Sequence, residues 1–168
     1  MINIVGAMFA DEREARQAME ALSETPKFNG TTIFQMSLVK RRDGELKLCN
    51  NFESEYLKSN VTVKGGLIGS VVGILGGPIG ALLGGAAGTL LGGAADLDRE
   101  DTSKTLIEQA AQRLEEGDLA LIMSVDESDE AVLDRQLLKY NVFIVRYNAE
   151  TIAKEVEAAE KRARETAE

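Results

Sequence analysis

Hydrophobic positions in the first part of the chain predict two strands, a helix between them, and a hairpin. Ile2–Met8 is a short apolar run with strand-like content, and Thr31–Lys40 is rich in β-favouring residues. Asp11 stands where a helix cap belongs. The apolar residues after it recur at helical spacing: Ala15, Ala18, Met19, Leu22. Asp43-Gly44 is a strong two-residue turn signal, so Leu46–Leu48 is predicted to be the return strand.

The last part of the chain alternates helical and strand-like patterns. A helix is predicted from a cap at residues 101–102 to a terminating glycine, Gly117, by its apolar spacing. Leu119–Val125 is a continuous apolar run, typical of a central strand that is buried on both faces. Ser128 is expected to cap a short helix that precedes a strand at Val142–Val145. The final helix is expected to be mostly solvated or to pair with another chain.

The order of these elements predicts an α+β fold. The first six match a ferredoxin-like βαββαβ sheet domain, followed by a C-terminal αβα extension that ends in an acidic helix capped by Asn148. The predicted units are 1–62 and 96–147 as two halves of one α+β domain, 63–95 as an inserted segment, and 148–168 as the last helix. Because neither half is long enough to bury a good core alone, we expect the two halves to share one sheet.

The inserted segment has an unusual composition. Residues 65–95 carry no charge and contain twelve of the sixteen glycines. These glycines include two ladders at a spacing of four: Gly65, Gly69, Gly73, Gly77 and Gly80, Gly84, Gly88, Gly92. Residues four apart lie on one helix face, so each ladder predicts a groove that another helix backbone can approach closely. The eleven Leu, Ile and Val residues of the segment argue against a flexible linker.

A helical hairpin turning at Pro78 accounts for the segment better than one span. A single 31-residue helix would be about 46 Å long, more than the roughly 30 Å hydrocarbon core requires. It would also place the two halves of the sheet on opposite sides of a membrane. In a hairpin, Gly65–Gly77 and Ile79–Ala95 would form arms of about 20 and about 26 Å, short for full spans. The hairpin either associates with a membrane or packs inside a protein assembly.

Charge and composition exclude several classes of function. The formal net charge of −9 argues against nucleic acid as a partner. The chain has no His, no Trp and a single cysteine, Cys49, which excludes the usual zinc, haem and iron–sulfur sites and His-based triads. Neither a dinucleotide-binding nor a P-loop glycine pattern occurs. The acidic residues at 96–101 lack the spacing of a Ca²⁺ loop. We therefore predict no catalytic, cofactor-binding or metal-binding residues.

Three stretches resemble a known family. They are Lys40-Arg41-Arg42-Asp43-Gly44-Glu45-Leu46-Lys47-Leu48, the glycine ladders with their proline, and Glu115-Glu116-Gly117-Asp118-Leu119-Ala120-Leu121. Together they resemble a bacterial family of uncharacterised membrane proteins that carry a domain of unknown function and a glycine-rich hairpin. The resemblance extends to about Ala158. It implies membrane association and no catalytic residues.

The leading functional hypothesis is a non-enzymatic structural or assembly protein. Its glycine-zipper hairpin would anchor the chain in membrane lipid, drive homo-oligomerisation, or both. One alternative is a soluble homo-oligomer with the hairpins packed in a protein core. Another is a ferredoxin-like module that binds an unidentified small molecule. No signal peptide is visible, so we expect the protein on the cytoplasmic side of the membrane, or in the cytoplasm if the hairpin is buried in an oligomer.

Overall fold

The computed structural model describes residues 1–59, 67–76 and 106–166. Within them, the elements in chain order are β1 (Ile2–Phe9), α1 (Glu12–Glu24), β2 (Lys27–Phe28), β3 (Thr31–Arg42), β4 (Glu45–Glu53), a 3-10 helix (Glu55–Ser59), α2 (Leu67–Gly76), α3 (Leu106–Ala111), β5 (Leu119–Glu127), α4 (Glu130–Leu137), β6 (Val142–Asn148) and α5 (Ala149–Thr166).

One six-stranded antiparallel sheet joins the two ends of the chain. Its order is β4–β3–β5–β1–β6, and the short β2 pairs with the start of β3. The predicted sharing of one sheet is therefore confirmed. The return strand β4 lies at the edge outside β3, whereas β5 occupies the central position between β1 and β3. The prediction that Leu119–Val125 is a central strand, buried on both faces, is thus confirmed.

Helices α1 and α4 cover one face of the sheet. Asp11 caps α1 by accepting a hydrogen bond from the Arg13 backbone N–H at 2.8 Å, as its position in the sequence predicts. The predicted apolar stripe of α1 is buried and meets side chains of β1, β3, β5 and α4. This first core consists of Val5, Ala7, Phe9, Ala15, Ala18, Met19, Leu22, Ile33, Met36, Leu38, Leu119, Leu121, Met123, Val125, Leu133 and Leu137.

Helices α2, α3 and α5 cover the opposite face. This second core consists of Ile4, Val39, Leu46, Leu67, Ile68, Val71, Leu114, Ala120, Ile122, Ile152, Val156 and Ala159. The final helix was expected to be mostly solvated or paired with another chain, with Ile152, Val156 and alanines as its apolar side. More than half of its described positions are exposed, and its apolar residues Ile152, Val156 and Ala159 are buried against the chain's own sheet.

Two predicted helix ends also differ from the structure. Helix α4 is capped by Asp129, which accepts from the Ala131 N–H at 3.0 Å, and not by Ser128. The Ser128 hydroxyl instead donates to the Gly30 carbonyl, at 3.2 Å. Helix α3 ends at Ala111, so Gly117, with φ +89°, forms the turn into β5 and not a helix terminus. Ser128 is used for a contact with the β2–β3 turn, and Gly117 is used for the turn before β5, so neither residue ends a helix.

Candidate functional site

Helix α2 is the described part of the neutral, glycine-rich segment. Its residues Leu67, Ile68 and Val71 are buried in the second core. The helix packs on β3 and β4 and also contacts α5. Ten residues of helix measure about 15 Å. These three apolar side chains of α2 are therefore committed to the chain's own sheet.

The opposite face of α2 carries glycine. Gly69 and Gly73 are both exposed. An ideal Cβ built on either glycine meets no atom within 4 Å in the part of the chain that the structure describes. Residues four apart on a helix share a face, so these glycines form a strip of bare backbone directed away from the sheet. We call Gly69 and Gly73 the glycine face of α2.

The structure brings together only these two of the predicted packing residues. The others lie outside the described residues: Gly65, Gly77, Gly80, Gly84, Gly88, Gly92 and the turn residue Pro78. Among the helices that are described, none is both long enough and apolar enough to cross a membrane.

Cavities lie on both faces of the sheet in the described part of the chain. Beneath α2, an apolar cavity of about 50 Å³ lies between the sheet and the helices and is bordered by Gly6, Tyr147 and Ile152. Between α1 and α4 there is an open groove of about 250 Å³, with Ala18 and Tyr140 in its lining. Within the described ranges, no cluster of three or more acidic or cysteine side chains is placed to hold a metal ion.

An ion cluster that the sequence did not reveal joins β5, β6 and α4. The Arg146 guanidinium donates to both oxygens of Glu127 at 2.8 and 2.9 Å, and to Asp134 Oδ1 at 2.8 Å. Asn3 Nδ2 donates to Glu127 Oε2 at 2.9 Å. The Glu127 side chain is 1% exposed and that of Arg146 13%. Burial alone would lower the pKa of Arg146, but the hydrogen bonds to Glu127 and Asp134 raise it above its ordinary value.

A second polar contact missed by sequence reasoning holds the β3–β4 turn. Asp43 and Gly44 both have positive φ, at 56° and 78°, as a type I′ hairpin turn requires. Their backbone N–H groups donate to the two carboxylate oxygens of Glu116, at 2.5 and 3.2 Å. These hydrogen bonds, helped by the charges of Arg41 and Arg42, lower the pKa of Glu116. The turn before the neutral segment is thus tied to the chain that follows it.

The fold and its surface define an α+β domain with an antiparallel sheet, helices on both faces and no recognisable reaction centre among the described residues. A family model described as "Protein of unknown function (DUF1269)" matches residues 62–162. The chain therefore belongs to the DUF1269 family, which confirms the predicted relation to an uncharacterised family. No curated protein and no solved structure matches the chain. The family match begins at residue 62, after β1–β4, and so covers less of the chain than the resemblance implied.

Proposed function

We propose that the protein is a non-enzymatic assembly protein that associates with copies of itself through the glycine face of α2. The observation that carries this proposal is the division of α2 into two faces. Leu67, Ile68 and Val71 pack on the sheet, while Gly69 and Gly73 leave the outer backbone bare. A helix backbone bare of side chains allows a second helix to approach closely.

The energetics of α2 support a contact on that face. Glycine costs about 0.8–1 kcal/mol per helical position relative to alanine, so Gly69 and Gly73 together cost about 2 kcal/mol. Alanine would fit at both positions, since neither Cβ meets an atom in the described structure. Packing within the described monomer therefore gives no reason for glycine at either position. The close approach of another helix would be a reason for glycine at both positions.

We further propose that membrane contact belongs to residues 77–95, which carry no charge, and not to α2 itself. Insertion of α2 would require Leu67, Ile68 and Val71 to leave the second core, where each is buried. The proposed location is the cytoplasmic side of a membrane. If residues 77–95 pack in protein instead, the chain is a soluble homo-oligomer in the cytoplasm.

We also propose that the fold is ferredoxin-like, with elements other than those the sequence indicated. The unit would consist of β1, α1, β3, β5, α4 and β6. The antiparallel sheet order β3–β5–β1–β6 and the placement of α1 and α4 on one face support this assignment. Strand β4 would then be an added edge strand, and residues 54–118 would hold the insertion with α2 and α3.

Substitution of the glycine face tests the assembly proposal. Gly69→Leu and Gly73→Leu add a branched side chain where the described monomer has open space, and leucine is the better helix former. We expect both variants to keep the parent's circular dichroism spectrum and to show a lower mass by light scattering after size-exclusion chromatography. Gln17→Leu, at an exposed position of α1, is the matched control for an added surface leucine. Variants that assemble with the parent's mass would refute the proposal.

Membrane association is tested separately on the unaltered chain. After cell fractionation and an alkaline carbonate wash, a protein held by residues 77–95 stays in the pellet and needs detergent for release. Complete recovery in the wash, as a monodisperse oligomer in plain buffer, would refute membrane insertion and leave the assembly proposal standing.

A further inference from the structure

The two outer edges of the sheet differ in how well they are protected from pairing. The β4 edge carries charges at Glu45, Lys47 and Glu53. Its pairing with β3 also shifts register between Leu38 and Val39, which leaves Cys49 as an extra, unpaired residue of β4. Charges and bulges are the usual devices that prevent a sheet edge from adding another strand.

The β6 edge has neither device. Strand β6, Val142–Asn148, pairs with β1 over its whole length without a register shift, and Arg146 is its one charged residue. The Arg146 guanidinium is directed to Glu127 and Asp134, so its charge is neutralised within the chain. No strand in the described ranges pairs with the outer side of β6. A long, regular and apolar edge of this kind is a site for strand addition.

We propose that β6 pairs antiparallel with β6 of a second copy of this chain, making one continuous sheet across a two-fold axis. The sequence of β6 is self-complementary in that arrangement. With Val145 on the axis, Phe143 lies opposite Tyr147 of the second copy and Ile144 lies opposite Arg146 of the second copy. No two like charges face each other, and an aromatic pair forms on each side of the axis.

Partly buried residues on both faces of β6 favour a second copy of the chain as the partner that pairs with this edge. Val142 and Ile144 pack against the first core and Tyr147 against the second, and all three are only partly buried. Phe143 is 52% exposed, with the Arg113 guanidinium 5.0 Å from its ring centroid. An isologous strand pair buries the same residues on both copies, and so would extend both cores of each chain at once.

This interface is distinct from the glycine face of α2. Among the strands, helix α2 packs mainly on β3 and β4, which β5 and β1 separate from β6. Pairing through β6 therefore does not depend on assembly through the glycine face of α2, and it adds a second mode of self-association. If both hold, a chain dimerises through β6 and the dimers join through α2.

A matched pair of substitutions tests the interface. Phe143 on β6 and Leu48 on β4 are both 52% exposed large apolar residues on edge strands. Phe143→Lys removes the aromatic pair on each side of the axis and places a charged, strongly hydrated side chain in the interface, so we expect it to halve the mass of the assembled protein in sedimentation or light scattering. Leu48→Lys should leave the mass unchanged. An unchanged mass for Phe143→Lys, or an equal effect of Leu48→Lys, would overturn the proposal.

A cross-link tests the register even if Phe143→Lys fails to fold. In a Cys49→Ser background, Val145→Cys places one thiol per chain on the proposed axis. We expect mild oxidation to give a disulfide-linked dimer from Val145→Cys and much less from Leu48→Cys. The same dimer should form when Gly73→Leu is added, because that change affects only the glycine face. Absence of a cross-linked dimer from Val145→Cys would show that this edge does not pair with a second copy.

Discussion

Substitution of Glu127 tests how much the ion cluster contributes to stability, because both of its carboxylate oxygens accept hydrogen bonds. Oε1 accepts from Arg146 Nη2, while Oε2 accepts from Arg146 Nε and from Asn3 Nδ2. Glutamine has the same shape but only one oxygen acceptor. In Glu127→Gln the amide NH₂ must therefore face at least one of these donors, whichever way it is turned.

The expected cost of Glu127→Gln is about 3 kcal/mol. A hydrogen bond to a charged group contributes about 1.5–3 kcal/mol, and breaking a buried ion pair by removing one partner costs about 3–5 kcal/mol. The lower end of the range for a broken ion pair applies, because Arg146 keeps its 2.8 Å contact with Asp134. For a chain of this size, about 3 kcal/mol corresponds to a fall in melting temperature of about 6–12 °C.

Urea denaturation followed by circular dichroism measures this free energy, since the chain has no Trp and only three Tyr. Asp126→Asn is the control, one residue earlier on the same strand. Asp126 also forms an ion pair, at 3.0 Å with the N-terminal amine, but its side chain is 49% exposed. Exposed pairs contribute about 0–1 kcal/mol. A loss for Glu127→Gln no larger than that for Asp126→Asn would refute the argument from burial.

Two further predictions concern the turn at Glu116 and the close packing at Gly6. Because the folded state lowers the pKa of Glu116, its carboxylate stabilises the fold above the ordinary pKa of 4.5 and loses that effect as pH falls below it. The melting temperature of Glu116→Gln should thus lie below the parent's at neutral pH, and the difference should shrink as the pH falls below 4.5; a constant difference would contradict this. A Cβ on Gly6 would lie 2.9 Å from Val145 Cγ2, so Gly6→Ala should cost about 1–3 kcal/mol in urea denaturation. Adding Val145→Ala should recover part of that loss, and no recovery would point to another cause.

Local signals in the sequence predicted most elements of the fold. The stripe of α1, its Asp11 cap and the Asp43-Gly44 turn depend on residues only a few positions apart, and the structure confirms all three. The cap of α4 was misplaced because Ser128 and Asp129 are both good caps. Only the distant Gly30 carbonyl, which accepts from the Ser128 hydroxyl, separates them.

The sequence predicts the spacing of the glycines on the glycine face of α2, but it does not predict which parts of the fold α2 contacts. The interval of four residues between Gly69 and Gly73 is enough to place both on one helix face. Which face of α2 would meet the rest of the fold depended also on contacts with the last helix α5, which lies more than 70 residues later in the chain. The ion cluster was invisible for the same reason, since Glu127 and Arg146 meet only because α4 connects two strands that lie on either side of β1. A lone arginine in an otherwise apolar strand was the available signal.

The central position of β5 imposes a delay on the chain as it is synthesised. Strand β3 is complete at Arg42, but the strand that pairs with its inner side begins at Leu119. At about 5–20 residues per second, the ribosome needs roughly 4–15 s to cover that interval. During this time the inner edges of β1 and β3 have no partner, so the nascent chain presents two apolar strand edges to its surroundings. Premature termination anywhere before Leu119 would release a polypeptide without the middle of its sheet, a product prone to aggregation.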